Sequence, residues 1–137
     1  MAWRQLAAIV AASALAAGVL VFVREADWTR GLNDAVGLRD PEPVTVATIL
    51  YGRALYREHC IACHGERGRG NGPSAAGLDP PPADLVLHVP QHTDGELFYM
   101  ISRGVPNSAM PMWRSVLTDR ERWDITHYLR ELAADAP

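Results

Sequence analysis

The sequence predicts an all-α domain preceded by an N-terminal membrane helix. Three observations support this fold class. The first residues form an uninterrupted apolar stretch, two later segments combine helix-capping pairs with apolar residues at helical spacing, and no segment alternates apolar and polar residues as a half-buried strand would. The 137 residues leave room for one ordinary domain beside the membrane segment.

The apolar stretch extends from Leu6 to Val23 without a charged residue, between Arg4 and Arg24. As a helix it would be about 27 Å long, just enough for the hydrocarbon core of a bilayer. We therefore expect residues 1–23 to be a single-pass anchor in the cytoplasmic membrane. The positive charge before the stretch favours a cytoplasmic N-terminus and places the remaining chain on the periplasmic side.

A cleaved signal peptide is the alternative interpretation of this stretch. The residues Ala14-Leu15-Ala16 satisfy the small-x-small rule for a cleavage site. Cleavage there would leave an apolar remnant from Ala17 to Val23, so we favour the uncleaved anchor. The following residues 24–46 have mixed charges, two glycines and two prolines, and we expect them to be a linker before a domain at 47–137.

Composition and charge exclude several classes of protein. Hydrophobic residues make up 48% of the chain and charged residues 21%, which is typical of a globular protein and not of a disordered one. Of the 13 basic residues only Arg4 precedes residue 24, so 12 remain against 16 acidic residues. This acidic balance argues against nucleic acid as a partner.

Three helices are expected within the domain. In the first, Ile49, Gly52 and Tyr56 recur on one face and lead directly into Cys60. The second and third each begin with a capping box, in which a threonine is followed three residues later by a glutamate. These pairs are Thr93 with Glu96 and Thr118 with Glu121, and apolar residues follow at helical spacing: Leu97, Met100 and Ile101, then Ile125, Tyr128, Leu129 and Leu132.

Gly104 is expected to end the second helix. Between the first and second helices, residues 65–85 read GERGRGNGPSAAGLDPPPADL, a segment too rich in glycine and proline for regular structure. A loop of this length inside a compact domain needs a reason. Wrapping around a bulky ligand would be one.

The only two cysteines lie in Cys60-Ile61-Ala62-Cys63-His64. This C-x-x-C-H pattern is typical of covalent haem attachment, because two thiols about one helical turn apart can bond to the two vinyl groups of a porphyrin. The histidine that follows can then bind the iron as an axial ligand. A redox-active disulfide and half of a zinc site are the alternatives, but the chain has no βαβ pattern for the first and no second cysteine pair for the other.

If haem is bound, Met110 is the expected sixth iron ligand. It precedes Pro111, which favours an extended chain that could direct the sulfur toward the iron. Met112 would then be a packing neighbour. His88 and His92 are alternatives that would give a bis-histidine iron, whereas surface or packing positions are expected for the other two histidines, His59 and His127.

Five segments in this order resemble a small class I cytochrome c. They are residues 52–56, the stretch CIACHG at 60–65, the loop at 68–85, the stretch GELFYMISRGVPNSAMPMW at 95–113 and the helix LTDRERWDITHYLREL at 117–132. The resemblance covers about residues 47–134. It implies a helical fold wrapped around one covalent haem c, held by Cys60 and Cys63 through two thioethers.

The resemblance further implies two contacts around this haem. The first and last helices of the domain would cross where Gly52 and Tyr56 meet Trp123, Tyr128 or Leu129. The carbonyl of a proline, either Pro73 or Pro82, would accept a hydrogen bond from the second nitrogen of His64.

An iron with both axial positions filled has no open site, which favours electron transfer over catalysis. We therefore expect an electron-transfer protein rather than an enzyme, acting as carrier to, or subunit of, a respiratory or photosynthetic electron-transport complex. Donor and acceptor proteins would be its partners, together with integral-membrane subunits if it is a fixed subunit. The alternative is a haem-based sensor or a small-molecule-activating haem enzyme in which Met110 leaves the iron.

Overall fold

A computed structural model describes residues 2–135 and confirms the all-α architecture, since no strand occurs among these residues. The helices are numbered α1 to α6 in chain order, and two short 3-10 turns, Val89–Gln91 and Trp113–Ser115, lie between them. The six helices are Ala2–Ala35, Val46–His59, Ile61–His64, Leu85–His88, Asp94–Arg103 and Asp119–Ala134.

Helix α1 is longer than the predicted anchor. It continues past Val23 to Ala35, and its stretch Ile9–Ala35 is long and apolar enough to be a candidate membrane span. Tertiary contacts divide the chain into two compact units, with the boundary between Gly31 and Leu32. The sequence placed the start of the domain later, at residue 47, because no hydrophobic pattern marks the residues before α2.

The core of the second unit lies between α2, α5 and α6. Both predicted capping boxes are present, Thr93 with Glu96 at the start of α5 and Thr118 with Glu121 at the start of α6, and a third pairs Thr45 with Thr48 before α2. Eight buried residues form one cluster: Leu55, Tyr56, Val89, Leu97, Ile101, Leu117, Ile125 and Leu129. Met100, Tyr128 and Leu132, predicted on the same stripes, are partly buried against it.

Helices α2 and α6 cross at Gly52, as the resemblance implied. A Cβ atom on Gly52 would overlap the carbonyl oxygen of Asp124, so only glycine permits this approach of the two backbones. One turn later the rings of Tyr56 and Tyr128 pack at a centroid distance of 5.3 Å. The ring of Trp123, another expected partner at the crossing, stacks at 4.2 Å on Phe98 of α5.

A buried cluster of charged side chains connects the segment after α1 to α6. Arg120 donates to both carboxylate oxygens of Asp40, at 3.1 and 2.7 Å, and to Asp124, at 3.0 and 2.7 Å. Nε2 of His127 lies 2.7 Å from the same carboxyl group of Asp40. The side chains of Asp40, Asp124 and His127 are only 5%, 3% and 6% exposed.

The sequence placed Asp40 in the linker at 24–46, and placed His127 beside the apolar stripe of the last helix as a packing position. The structure confirms the position of His127 and gives it Asp40 as its partner. In addition, a Cβ atom on Gly95 would overlap the carbonyl oxygen of Ala35, so the end of α1 lies directly against the start of α5. Residues 35–40 are therefore packed on the helical domain.

The surroundings of Asp40 favour the ionised form of its carboxyl group. Burial by itself raises its pKa, but hydrogen bonds from the amide of Glu42 and from the two basic side chains outweigh burial and leave the pKa below its usual range. Such a group stabilises the fold fully above its unfolded pKa, and this contribution is lost as the pH falls through the folded pKa.

Replacement of Gly52 by alanine should lower the free energy of unfolding by about 3 kcal/mol, because the new methyl group forces α2 and α6 apart. Guanidinium unfolding of the full-length protein in detergent measures the change. Gly37→Ala is the matched control, since a Cβ atom there meets no atom within 4 Å. Equal stability of the two variants would contradict the close crossing.

Replacement of Asp40 by asparagine should lower the free energy of unfolding at pH 7 by about 3 kcal/mol, because it leaves buried basic groups without their carboxylate. The difference from wild type should shrink as the pH falls below about 4, the pKa of an aspartate in the unfolded chain, and should vanish below the lower pKa of the folded protein. Unfolding curves between pH 7 and 3 test this. Asp34→Asn, an exposed carboxyl group on α1, is the control, and a difference independent of pH would argue against the ionised cluster.

Candidate haem-binding site

One cleft, with a cavity volume of about 230 Å³, contains the four residues that the sequence predicted to bind haem. Three chain segments line it: the end of α2 with α3, the proline-rich stretch 78–83, and the stretch 105–113 after α5. Apart from the sulfur, imidazole and hydroxyl groups, the side chains facing it are apolar. Cys60, Cys63, His64 and Met110 all lie on its wall.

The two cysteines are positioned by the junction of α2 and α3. The amide of Cys60 donates to the carbonyl of Tyr56 at 2.8 Å and ends α2, and the amide of His64 donates to the carbonyl of Cys60 at 2.9 Å. This single helical turn carries both thiols and the imidazole to the cleft. Both thiols are free and half-buried, and burial raises the pKa of Cys60 to about 12, with a smaller contribution from Cys63.

The glycine-rich loop folds back onto α3 and satisfies its carbonyl groups. The amides of Ser74, Gly72 and Gly70 donate to the carbonyls of Ala62, Cys63 and His64, at 2.7, 3.0 and 2.9 Å. These carbonyls end a helix too short to pair them internally. Gly72 is required here, because a Cβ atom would overlap the carbonyl oxygen of Ala62. The loop thus holds the C-x-x-C-H turn in place.

Tyr56 fixes the same turn from the opposite direction. Its hydroxyl donates to the carbonyl of Gly65 at 2.6 Å, and its side chain is 1% exposed. Burial also raises the pKa of this hydroxyl, which keeps it protonated as a donor. The residue after His64 is therefore held by α2, and through α2 by the helix crossing.

Nδ1 of His64 lies 3.2 Å from the carbonyl oxygen of Ala83. The expectation that Pro73 or Pro82 accepts this hydrogen bond is therefore wrong. The acceptor is the residue directly after Pro82. Every residue has a carbonyl group, so the sequence carries no signal for the acceptor. When Nδ1 donates, the lone pair of Nε2 is free to bind a metal. Burial lowers the pKa of His64, which favours this neutral form, although the hydrogen bond to Ala83 opposes it.

Met110, and not Met112, lies on the cavity wall. Met112 is 48% exposed and is not among the lining residues. The alternative ligands His88 and His92 also lie outside the lining and stack on each other at 5.9 Å. His59 does face the cleft, with its ring 5.1 Å from that of Trp113, and the sequence did not single it out for the site.

This set of groups fits haem c. Two thiols one turn apart, a neutral imidazole and a thioether surround an apolar cleft, which suits a porphyrin and its iron. A zinc site fits less well. Within residues 2–135 no group of three His, Cys, Asp or Glu side chains could hold a metal ion, whereas zinc takes at least three such ligands.

Residues 47–129 match the family model described as cytochrome C oxidase, cbb3-type, subunit III. No curated protein matches the chain. Among solved structures, a chain of the reducing HAO-like protein complex of Kuenenia stuttgartiensis is similar, with 34% sequence identity and a TM-score of 0.60. The similarity covers 71% of this chain and 48% of that chain, so this chain spans about half the length of that relative.

The family match covers more than half of the chain, from the start of α2 into α6. It therefore includes the C-x-x-C-H turn, the glycine-rich loop and the segment of Met110. Membership of this family implies covalent haem c and electron transfer. The chain belongs to the cytochrome c family described as cytochrome c oxidase, cbb3-type, subunit III.

Proposed function

We propose that this protein transfers single electrons between redox partners through one haem c bound in the cleft. The observation that supports this proposal most directly is the placement of the C-x-x-C-H turn and of Met110 on one apolar cavity. The thiols of Cys60 and Cys63 would form the two thioether bonds. Nε2 of His64 and the sulfur of Met110 would be the axial iron ligands.

When bound, haem c supplies a one-electron couple between ferric and ferrous iron. The protein's own residues then determine its geometry and potential. The carbonyl of Ala83 fixes the ring of His64 and makes the imidazole a better donor. A methionine ligand and an apolar wall that excludes water both favour ferrous iron and raise the potential.

Filling both axial positions also restricts the reaction. Oxygen or peroxide chemistry needs a vacant position on the iron, and His64 and Met110 together would leave none. Electron transfer needs only a close approach of the partner protein. Pro111 and Met112 are exposed beside Met110, so an apolar partner surface could approach the cavity there.

We further propose that the chain is a fixed subunit of a membrane oxidoreductase. Helix α1 is a candidate membrane span. It would cross the cytoplasmic membrane, and the haem domain would then face the periplasm. The family is described as an oxidase subunit, and the similar solved chain is part of a protein complex. A tethered carrier between separate complexes is the other form of the same function.

Replacement of Met110 by alanine should abolish the weak long-wavelength absorbance band that methionine-to-iron ligation gives in the oxidised protein. Absorbance spectra of the purified full-length protein measure this band. Met112→Ala is the matched control and should retain it, because Met112 lies outside the cavity lining. A band that survives in Met110→Ala would identify another methionine as the ligand. A band missing from wild type would mean another kind of sixth ligand or none, and would favour the sensor or enzyme.

The full-length protein, purified from native membranes in mild detergent, should be accompanied by integral-membrane proteins in a constant ratio. Size-exclusion chromatography with quantified haem and subunit bands measures the ratio. A harsh detergent, which separates membrane subunits, is the control and should release the chain alone. A solitary monomer already in mild detergent would reject the subunit form and leave the tethered carrier.

A further inference from the structure

We infer that Ser108 is a positioning residue that holds Met110 in the cavity through its hydroxyl group. The inference rests on the proposed function, in which Met110 is the sixth ligand. The segment between Gly104 and Trp113 has no regular secondary structure. Its hold on the methionine must therefore come from individual contacts.

The hydroxyl of Ser108 makes two hydrogen bonds within this segment. It donates to the carbonyl of Val105 at 2.8 Å and accepts from the amide of Met110 at 3.2 Å. Val105, Ser108 and Met110 all line the cavity, and all three are half-buried. One small polar side chain thus connects the residue after the helix cap to the backbone of the candidate ligand.

The end of α5, just before Val105, also contacts the backbone of Met110. Gly104 ends α5 with a φ of 69°, and a Cβ atom there would lie 2.6 Å from the carbonyl oxygen of Met110 and 2.9 Å from the carbonyl carbon of Pro111. Helix α5 itself is fixed by buried Leu97 and Ile101. The Met110–Pro111 peptide therefore rests on the end of a helix that belongs to the core.

These contacts matter because the bond from the sulfur of Met110 to the iron would be the weakest link between the protein and the haem. The cysteines would be held by covalent bonds and His64 by the turn that carries it, whereas Met110 would be held only by coordination, by its backbone and by packing of a partly buried side chain against the core. A contact that fixes the backbone of Met110 favours the bound over the displaced state of the ligand. Loss of the hydroxyl should increase the displaced fraction.

Binding of imidazole to the oxidised full-length protein, at constant pH and ionic strength, measures that fraction. Imidazole binds the iron only in molecules whose Met110 has left it. The apparent Kd for imidazole therefore falls as the fraction of molecules with displaced Met110 rises. Ser108→Ala should bind imidazole about 5-fold more tightly than wild type, the factor expected when the amide of Met110 loses one neutral hydrogen bond. Met110→Ala should bind it more tightly still.

Ser115→Ala is the matched control. Its hydroxyl makes a similar local bond, to the carbonyl of Met112 at 3.3 Å, but it does not line the cavity. We expect its imidazole affinity to equal that of wild type. Guanidinium unfolding of each variant shows whether a change in affinity merely follows a loss of global stability.

The outcomes separate this inference from the function on which it rests. If Met110→Ala tightens imidazole binding and Ser108→Ala does not, the ligand assignment survives and the positioning role is rejected. The positioning role is also rejected if Ser115→Ala changes the affinity as much as Ser108→Ala. If Met110→Ala leaves affinity and spectrum unchanged, Met110 is not the ligand and both proposals fail.

Discussion

The contact of the α2 and α6 backbones at Gly52 is the constraint on which the rest of the domain depends. Because no side chain separates the helices there, α2 lies in a defined position, and Cys60 follows at its end. The Tyr56 hydroxyl extends this constraint past the cysteines to Gly65. A helix crossing outside the cleft thus decides where the thiols and His64 enter it.

The loop after His64 supplies hydrogen-bond donors to the end of α3, although the loop itself has no regular secondary structure. Its amides pair with the carbonyls of α3, and its later residues bring the carbonyl of Ala83 to the imidazole. Glycine is needed at Gly70 and Gly72 because both backbones pass within overlap distance of neighbouring carbonyls. The composition of the loop therefore reflects close backbone packing around the site as well as the absence of helix.

A cluster of charged side chains connects the segment after α1 to α6. Asp40 lies between Arg120 and His127, and its ionised carboxylate attaches the segment after α1 to the last helix. A partly buried cluster is stable only if each charge is paired and hydrogen-bonded, which this one is. The chain that leads from the candidate membrane span is in this way part of the haem domain before α2 begins.

The sequence by itself determined the all-α class, both glutamate capping boxes and the cysteine turn, because each depends on residue types at short, fixed spacings. The helix crossing at Gly52 was expected only from the resemblance to class I cytochromes c. It also selected Met110, which the structure places on the cavity, although its ligation remains a proposal. Only the tertiary structure decided that Ala83 accepts from His64, that Asp40 packs on α6 and that Ser108 contacts Met110. A carbonyl group has no sequence signature, and a carboxylate that pairs with a residue 80 positions away shows no local pattern.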